Sequence, residues 1–489
     1  MNLEHVPTSD AIIEMTGLCY RLAVESIENG DLDGASRGLL EARSAYRVHF
    51  PFGQGNCLSR LGLIAQYTGK KKRALHFFKA SYVFYQKYLD AGDHVVYQHG
   101  FASAAGQLGL FYLRTYRYQL ARKALEESIG ILEHLVATDP DDIAYQHDLA
   151  MTYENAGLLY QALRDRDRAG SYYAKLTAIT QKLLDQDPNR LEFQILLIRG
   201  LKMKGFDELG REHYDEAETA FLQGLGLLEK LIIRQQRRIF FVVDACSFRM
   251  QLASVYRKNG HHAQSLQLYR ETGTAYQEII DQYPDDHGSR FNQAICFEQQ
   301  GMILLQMNQD LPALEALQVF LSLVESLPGQ PDVDIQLSLS IGHKVIGTLQ
   351  RNLGNIAESL KHYQQMYRLA DQLYQQHRHS PPVSYHFAIA SIYAGQLNMD
   401  AGAFEAAALH FQESAKILES LLKAEPADLD YNDEYTFAME LLAVCIKRFP
   451  EPSRRSSSHP VFKLFFRVSA ILGSFYRQLR NLAGQLRDI

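Results

Sequence analysis

Residues 148–188 read DLAMTYENAGLLYQALRDRDRAGSYYAKLTAITQKLLDQDP, and they carry the clearest fold signal in the chain. Gly157 is followed twelve residues later by Ala169, bulky Tyr173 comes four residues after that, and Pro188 closes the stretch. Two antiparallel helices approach closely where both carry small side chains, and a large side chain one turn further on fills the groove beside that contact. The stretch therefore predicts one helical hairpin.

The same spacing recurs along almost the whole chain. Each unit has Gly or Ala, then Ala or Ser twelve residues later, then a bulky residue after four more. The nine triplets are Ala23-Ala35-Leu39, Gly62-Ala74-Phe78, Gly109-Ala121-Leu125, Gly157-Ala169-Tyr173, Gly205-Ala217-Phe221, Ala253-Ser265-Tyr269, Gly301-Ala313-Leu317, Gly347-Ser359-Tyr363 and Gly395-Ala407-Phe411. The repetition predicts a stack of nine helical hairpins, an architecture whose usual work is binding.

The pattern resembles the tetratricopeptide repeat over about residues 11–426, with small residues at its eighth and twentieth positions and a large one at its twenty-fourth. Most units here repeat every 46–48 residues, whereas the common repeat has about 34. We therefore expect each helix to be about seven residues, or roughly 10 Å, longer than usual. The resemblance implies an all-α, right-handed solenoid over residues 1–449, with a closing helix at about 430–447.

Composition and charge narrow the function classes. The chain has 489 residues, 46% of them hydrophobic, and a net charge of −6, so nothing in the overall charge favours nucleic acid. Five scattered cysteines without metal-ligand spacing favour reduced thiols in a cytoplasmic protein. The N-terminal residues MNLEHVPTSD lack the pattern of a signal peptide, and no run of eighteen uncharged apolar residues predicts a spanning helix.

Catalytic motifs are missing from the sequence. It contains no phosphate-binding loop, no HExxH and no GxSxG. We therefore predict no enzymatic activity, no catalytic residues, no cofactor and no metal site. The leading hypothesis is a scaffold or adaptor for a protein or peptide. The alternatives are a peptide-gated regulatory sensor and a membrane-recruited adaptor.

The resemblance also implies which residues line the concave groove, because such repeats line it with their first helix. Carried over by position, the groove residues from the fifth unit onward are Arg199, Lys202, Phe206, Met250, Arg257, Lys258, Lys344, Arg351 and Asn352. The third and fourth units contribute more apolar residues, such as Leu110 and Leu158, together with Glu154. The resulting hypothesis is a groove that turns basic and accepts an acidic partner, and the alternative is scattered surface charge.

The C-terminal residues differ from the repeat. Residues 450–460, PEPSRRSSSHP, have the composition of a linker, and residues 461–489 predict a basic amphipathic helix with an apolar seam from Val461 to Leu486. The residues proposed to contact a membrane or a partner are Phe465, Arg467, Leu472, Phe475, Arg477 and Arg480. This helix can cap the solenoid, bind an anionic membrane surface or pair with another chain. Oligomeric state is left open.

Overall fold

The structure is a computed structural model that describes residues 31–448, except residues 50, 90–94, 235–237, 329–332 and 426–427. Within these residues every regular element is an α-helix, so the fold is the all-α solenoid that the sequence predicts. The chain divides after Asn259 into two compact units. The first helix of the first repeat, the linker and the C-terminal amphipathic helix lie outside the described residues.

Unit 1 contains ten described helices. They are α1 (Leu32–His49), α2 (Pro51–Tyr67), α3 (Lys71–Leu89), α4 (Val95–Arg114), α5 (Tyr118–Thr138), α6 (Ile143–Ala162), α7 (Arg166–Gln186), α8 (Leu191–Gly210), α9 (Tyr214–Arg234) and α10 (Ile239–Lys258). The even-numbered helices are the first helices of the hairpins, and the odd-numbered helices are the second helices. From α4 to α10 every helix has 20 or 21 residues.

Unit 2 contains eight described helices. They are α11 (His262–Gln282), α12 (His287–Gln306), α13 (Asp310–Glu325), α14 (Val333–Asn352), α15 (Ile356–Gln376), α16 (Pro381–Asp400), α17 (Phe404–Ala424) and α18 (Leu429–Lys447). Here again the even-numbered helices are first helices. Helix α18 is a first helix, and no second helix follows it among the described residues.

The seven repeat glycines mark the closest approach between the two helices of a hairpin. A methyl group added at any of them would lie 2.3–2.9 Å from the bulky side chain sixteen residues later. The pairs are Gly62–Phe78, Gly109–Leu125, Gly157–Tyr173, Gly205–Phe221, Gly301–Leu317, Gly347–Tyr363 and Gly395–Phe411. Real Cβ atoms essentially never lie at such distances, so a larger residue at these positions would force the bulky side chain to shift. The small-and-large interpretation of the pattern is thereby confirmed.

The small residues of the second helices occupy the matching positions. All nine Ala and Ser residues at this slot, from Ala35 to Ala407, are at most 2% exposed. Ser359 also donates a hydrogen bond of 2.7 Å from its hydroxyl to the backbone carbonyl of Gly347 on the facing helix. A buried hydroxyl needs such a partner, so serine is tolerated where alanine is usual.

Acidic residues in the turns between hairpins act as helix caps. The side chains of Asp142, Asp286 and Asp428 accept hydrogen bonds from the backbone N–H groups of Tyr145, Ser289 and Tyr431. Each cap satisfies an N–H group that the first turn of a helix leaves unpaired. Each of these first helices thus begins at a residue that the local sequence specifies.

The turns within hairpins each contain one residue with a positive φ angle. In unit 1 these residues are Gly69, Tyr116, Arg164 and Glu212, and in unit 2 they are Gly260, Asn308, Gly354 and Gly402. Side chains other than glycine pay about 1–2 kcal/mol in this left-handed region. Unit 1 therefore stores more backbone strain in its turns than unit 2.

Helix α10 is the one helix of the described part that is long and apolar enough to cross a membrane. Its Phe241, Cys246 and Phe248 are at most 1% exposed, and Phe248 packs edge-on against Phe221 of α9. This burial favours a core helix of unit 1. The four cysteines of the described part, Cys57, Cys246, Cys296 and Cys445, are buried.

Candidate functional site: the first-helix face of unit 1

The first helices α6 and α8 of unit 1 carry polar and apolar side chains spaced three or four residues apart. Residues at this spacing share one side of a helix. We call this surface the first-helix face and define it by Met151, Glu154 and Leu158 on α6 with Arg199, Lys202 and Phe206 on α8. The adjoining side of each helix carries the repeat glycine, Gly157 or Gly205, and is buried.

Arg199 and Glu154 form the central pair of this face. Nε of the Arg199 guanidinium lies 2.8 Å from one carboxylate oxygen of Glu154, and a terminal guanidinium nitrogen contacts the other oxygen. Glu154 is 4% exposed and Arg199 is 47% exposed, so a buried carboxylate holds a guanidinium that still reaches solvent. Burial raises the pKa of Glu154, while the Arg199 charge acts to lower it. The two-point contact fixes the guanidinium plane.

A second polar pair links the preceding first helices. Nε2 of His99 on α4 lies 2.9 Å from a carboxylate oxygen of Asp148 on α6. Burial acts to raise the pKa of Asp148, but hydrogen bonds from His147 and His99 outweigh it and lower the pKa to about 2. Asp148 therefore stays ionised over any physiological pH.

Lys202 lies between an acidic and an aromatic partner on α10. Its ammonium nitrogen lies 5.8 Å from the centre of the Phe248 ring, within range of a cation–π contact. Burial raises the pKa of Asp244, and the positive charge of Lys202 acts in the opposite direction. Contacts within unit 1 therefore hold the Lys202 side chain in place.

The remaining groove residues of unit 1 vary in exposure. The half-buried ring of Phe206 packs edge-on against the buried Phe221, with ring centres 5.8 Å apart. Met250 is only 9% exposed, so it contributes mainly to the core of unit 1. Arg257 is half-buried and its Nε has no hydrogen-bond partner among the described residues, whereas Lys258 is exposed.

Unit 2 has its own line of groove residues on α14 and α16. The ammonium nitrogen of Lys344 lies 5.5 Å from the centre of the Tyr393 ring. Arg351 contacts the carboxylate of Asp400 at 3.4 Å, and Asn352 is exposed. Like Lys202 of unit 1, Lys344 and Arg351 each meet a side chain on the following first helix.

Buried histidines join the same helices inside unit 2. Nε2 of His386 lies 2.8 Å from the Ser340 hydroxyl, which itself donates to the carbonyl of Met366. The serine proton is thereby used, so His386 must donate from Nε2. Burial lowers the pKa of both His386 and His343 to about 4. These linkages are neutral at pH 7.

The structure changes the electrostatic interpretation of the predicted groove. The basic residues foreseen from sequence lie on first helices, but Arg199, Lys202 and Arg351 each face a carboxylate. Sequence reasoning missed these partners, which lie 42 to 49 residues away on the next or the preceding first helix. Acidic residues near one repeat length from each cation were the signal that could have found them.

Comparisons with known proteins bear on the fold. No known protein-family profile matches the chain, and no curated protein matches it. The chain is similar to the crystal structure of BtubC from P. vanneervenii, with 13% identity and a TM-score of 0.39 over 60% of this chain and 97% of that one. It is also similar to the apo form of RapI, with 10% identity and a TM-score of 0.42 over 66% of this chain and 99% of that one.

A third similar structure is a signal transduction ATPase with numerous domains and a tetratricopeptide repeat sensor, from Pyrococcus horikoshii. The identity is 11% and the TM-score 0.49, over 72% of this chain and 47% of that one. At identities of 10–13% and TM-scores below 0.5, these likenesses say nothing about the function of the chain.

Proposed function

We propose that the first-helix face of unit 1 binds a segment of a partner protein, so that the chain acts as a scaffold or adaptor. The observation that carries this proposal is the Arg199–Glu154 pair, in which a buried carboxylate orients a half-exposed guanidinium. A guanidinium has five N–H donors, and this pair uses two of them. The others remain for a carbonyl or carboxylate oxygen of the partner.

The neighbours of Arg199 suit a polypeptide better than a small anion. Lys202 and Phe206 follow at three and seven residues on the same side of α8, and the apolar Met151 and Leu158 flank Glu154 on α6. All four are half-buried, so each keeps surface for contact. Apolar side chains around a fixed arginine are the composition of interaction hot spots.

Local charge argues for a partner of mixed polarity. Glu154 compensates Arg199, and Asp244 lies close enough to Lys202 for its pKa to respond. The face is therefore not a strong positive field, and a purely acidic partner gains little from it. We propose that the occupant places an apolar side chain near Phe206 and an oxygen acceptor at Arg199.

Photo-cross-linking tests this proposal. The photoreactive residue p-benzoylphenylalanine would replace Phe206, and the protein would be irradiated in extract from its own cells. We expect one dominant cross-linked protein, identified by mass spectrometry. Arg199→Lys keeps the charge but loses the two-point geometry. In this variant the yield of the cross-linked protein should fall about tenfold, which corresponds to the loss of one charged hydrogen bond.

Two controls make the result specific. The same photoreactive residue at Leu222, an exposed position on second helix α9, should not capture that protein. Lys202→Glu should weaken capture, whereas Lys182→Glu on α7 makes the same charge change at an exposed second-helix site and should leave capture unchanged. Equal capture at Phe206 and Leu222, or an indifferent Arg199→Lys variant with an unchanged melting curve, would refute the proposal.

A further inference from the structure

A cleft of 1280 Å³ lies at the α17–α18 end of unit 2. It extends from the end of α15 and the start of α16 over α17 to α18. Helix α18 contributes Tyr435, Met439 and Leu442, and α17 contributes Leu409 and Glu419. Leu409 is 57% exposed, so the cleft presents apolar surface to solvent.

Aligning α18 with the first helices of complete hairpins shows which side of α18 lines this cleft. Ala443 of α18 follows Gly395 by one repeat and occupies the glycine slot of a first helix. In that register Met439 corresponds to Tyr153 of α6, whose ring lies 5.8 Å from Tyr172 of the second helix α7. The side of α18 that lines the cleft is therefore the side on which a complete hairpin carries its second helix.

Aligning α17 with the second helix α5 supports the same position for a second helix. Its Glu419 corresponds to Glu133 of α5. The Glu133 carboxylate accepts a hydrogen bond of 2.9 Å from Lys175 of α7, the next second helix in unit 1. Glu419 already accepts a hydrogen bond of 2.9 Å from Lys423 of its own helix, and by this correspondence it also faces the position of a second helix that would bring a further basic residue.

We propose that residues 461–486 of this chain dock in the cleft as the second helix that α18 lacks among the described residues. The segment has the apolar seam that a second helix needs, from Val461 to Leu486 at alternating steps of four and three residues. It also carries basic residues beside the seam, such as Arg477 and Arg480, which match Glu419 in charge.

Charge and reach both permit this arrangement. Helices α17 and α18 together carry seven acidic residues against three lysines, whereas residues 451–489 carry seven basic residues against two acids. The thirteen residues 448–460 span up to about 43 Å when extended, and α18 is about 28 Å long. The segment can therefore lie along α18 in either direction.

Intramolecular photo-cross-linking of the full chain tests this proposal. The photoreactive residue p-benzoylphenylalanine at Leu409 should cross-link to peptides from residues 461–486. Replacing seam residues with Leu472→Glu, Phe475→Glu and Leu479→Glu should reduce that yield at least tenfold. The matched triple variant Ser474→Glu, Gln478→Glu and Asn481→Glu adds the same charge opposite the seam and should keep the cross-link.

Three outcomes would overturn the proposal. The first is a Leu409 sample that yields no peptide from residues 461–486. The second is a mixture of ¹⁴N- and ¹⁵N-labelled protein whose cross-links join two chains, which would mean that a second copy fills the cleft. The third is sedimentation of the full chain with phosphatidylcholine–phosphatidylserine vesicles while the seam variant stays soluble and the Leu409 cross-link is absent.

Discussion

Unit 1 and unit 2 use the same glycine contact within their hairpins but join successive first helices with different chemistry. Unit 1 uses charged pairs, Arg199–Glu154 and Lys202 beside Asp244. Unit 2 has an exposed charged pair, Arg351–Asp400, but places the neutral His386–Ser340 hydrogen bond in its interior. The comparison teaches that helix stacking sets the architecture, while the polar linkage sets how each unit responds to pH and to substitution.

The largest expected effect concerns the glycine contact within the hairpins, which occurs in each of the two units. Gly157→Ala puts a methyl group 2.3 Å from Tyr173, and Gly347→Ala puts one 2.9 Å from Tyr363. We expect Gly157→Ala to lower the free energy of unfolding by about 3 kcal/mol and Gly347→Ala by about 1 kcal/mol. Urea denaturation would measure both values.

Gly226 provides the control for this pair. It lies inside α9, and a methyl group there meets no atom within 4 Å. Gly226→Ala should stabilise unit 1 by up to about 1 kcal/mol, because alanine is the better helix former. An equal or larger loss in Gly347→Ala than in Gly157→Ala would contradict the ranking of the two contacts.

The next prediction compares the loss of stability when a charged linkage is broken in unit 1 with the loss when a neutral linkage is broken in unit 2. Arg199→Ala leaves the buried Glu154 carboxylate without its partner, and we expect a loss of about 2 kcal/mol at pH 7. The pKa of Glu154 should rise further, so the loss should shrink as the pH falls and the carboxyl group takes up a proton. Ser340→Ala removes a neutral partner from His386, and its cost of about 1 kcal/mol should not shrink in acid.

Urea denaturation at pH 7.5 and pH 5 distinguishes these cases. Combining Arg199→Met with Glu154→Leu removes both charges and should restore most of the stability that Arg199→Ala loses. A loss in Arg199→Ala that is the same at both pH values would argue against an ionised, buried Glu154.

The pH response of the wild-type chain sharpens the comparison. His386 has a pKa of about 4 in the fold against an ordinary value of 6.5, and it faces Ser340 and the charge of Lys344. As the pH falls below 6.5 the unfolded chain takes up a proton first, so this histidine costs unit 2 stability between pH 6.5 and pH 4. The expected loss is about 2 kcal/mol at pH 5. Unit 1 should keep its stability over this pH range, because the pKa of Asp148 is about 2 and its carboxylate stays ionised.

Hydrogen exchange of peptides from each unit would show this difference. Helices α14 and α16 should lose protection at pH 5 relative to pH 7.5, after correction for intrinsic exchange, while α6 should not. His386→Gln removes one titrating group and should reduce the response of unit 2, while His343, whose pKa is also lowered to about 4, should account for part of what remains. A uniform loss of protection in both units would refute the assignment.

The smallest effect lies in the turns. Glu212 of unit 1 has φ of 63°, and Gly354 of unit 2 has φ of 82° at the equivalent position. Glu212→Gly should stabilise the chain by about 1 kcal/mol by relieving strain, whereas Gly354→Ala should destabilise it by about the same amount. Thermal unfolding should show melting temperatures that move in opposite directions.

The hairpin could be predicted from sequence because its determinants are local. Gly157 and Tyr173 are sixteen residues apart, and their contact follows from the spacing of one small and one large residue. The caps at Asp142 and Asp286 are equally local, since each acts three residues away. The groove positions of Arg199, Lys202 and Lys344 on first helices came from the resemblance to tetratricopeptide repeats.

The electrostatic character of the groove could not be predicted in the same way. Glu154 was assigned to the mainly apolar part of the groove, yet it lies buried beneath Arg199, which comes 45 residues later. Met250 was assigned as a groove residue and is mainly buried. Helical periodicity gives the side of a helix, but it does not say which side chains of adjacent repeats meet.

The sequence by itself determined the repeated hairpin and its helical class, because the contacts that make a hairpin recur at fixed, short separations along the chain. Only the tertiary structure decided that Arg199 pairs with Glu154, that His386 is buried against Ser340, and that a cleft remains beside α18. These features depend on how one repeat lies against the next. That packing brings together residues one repeat apart, whose identities no local spacing constrains.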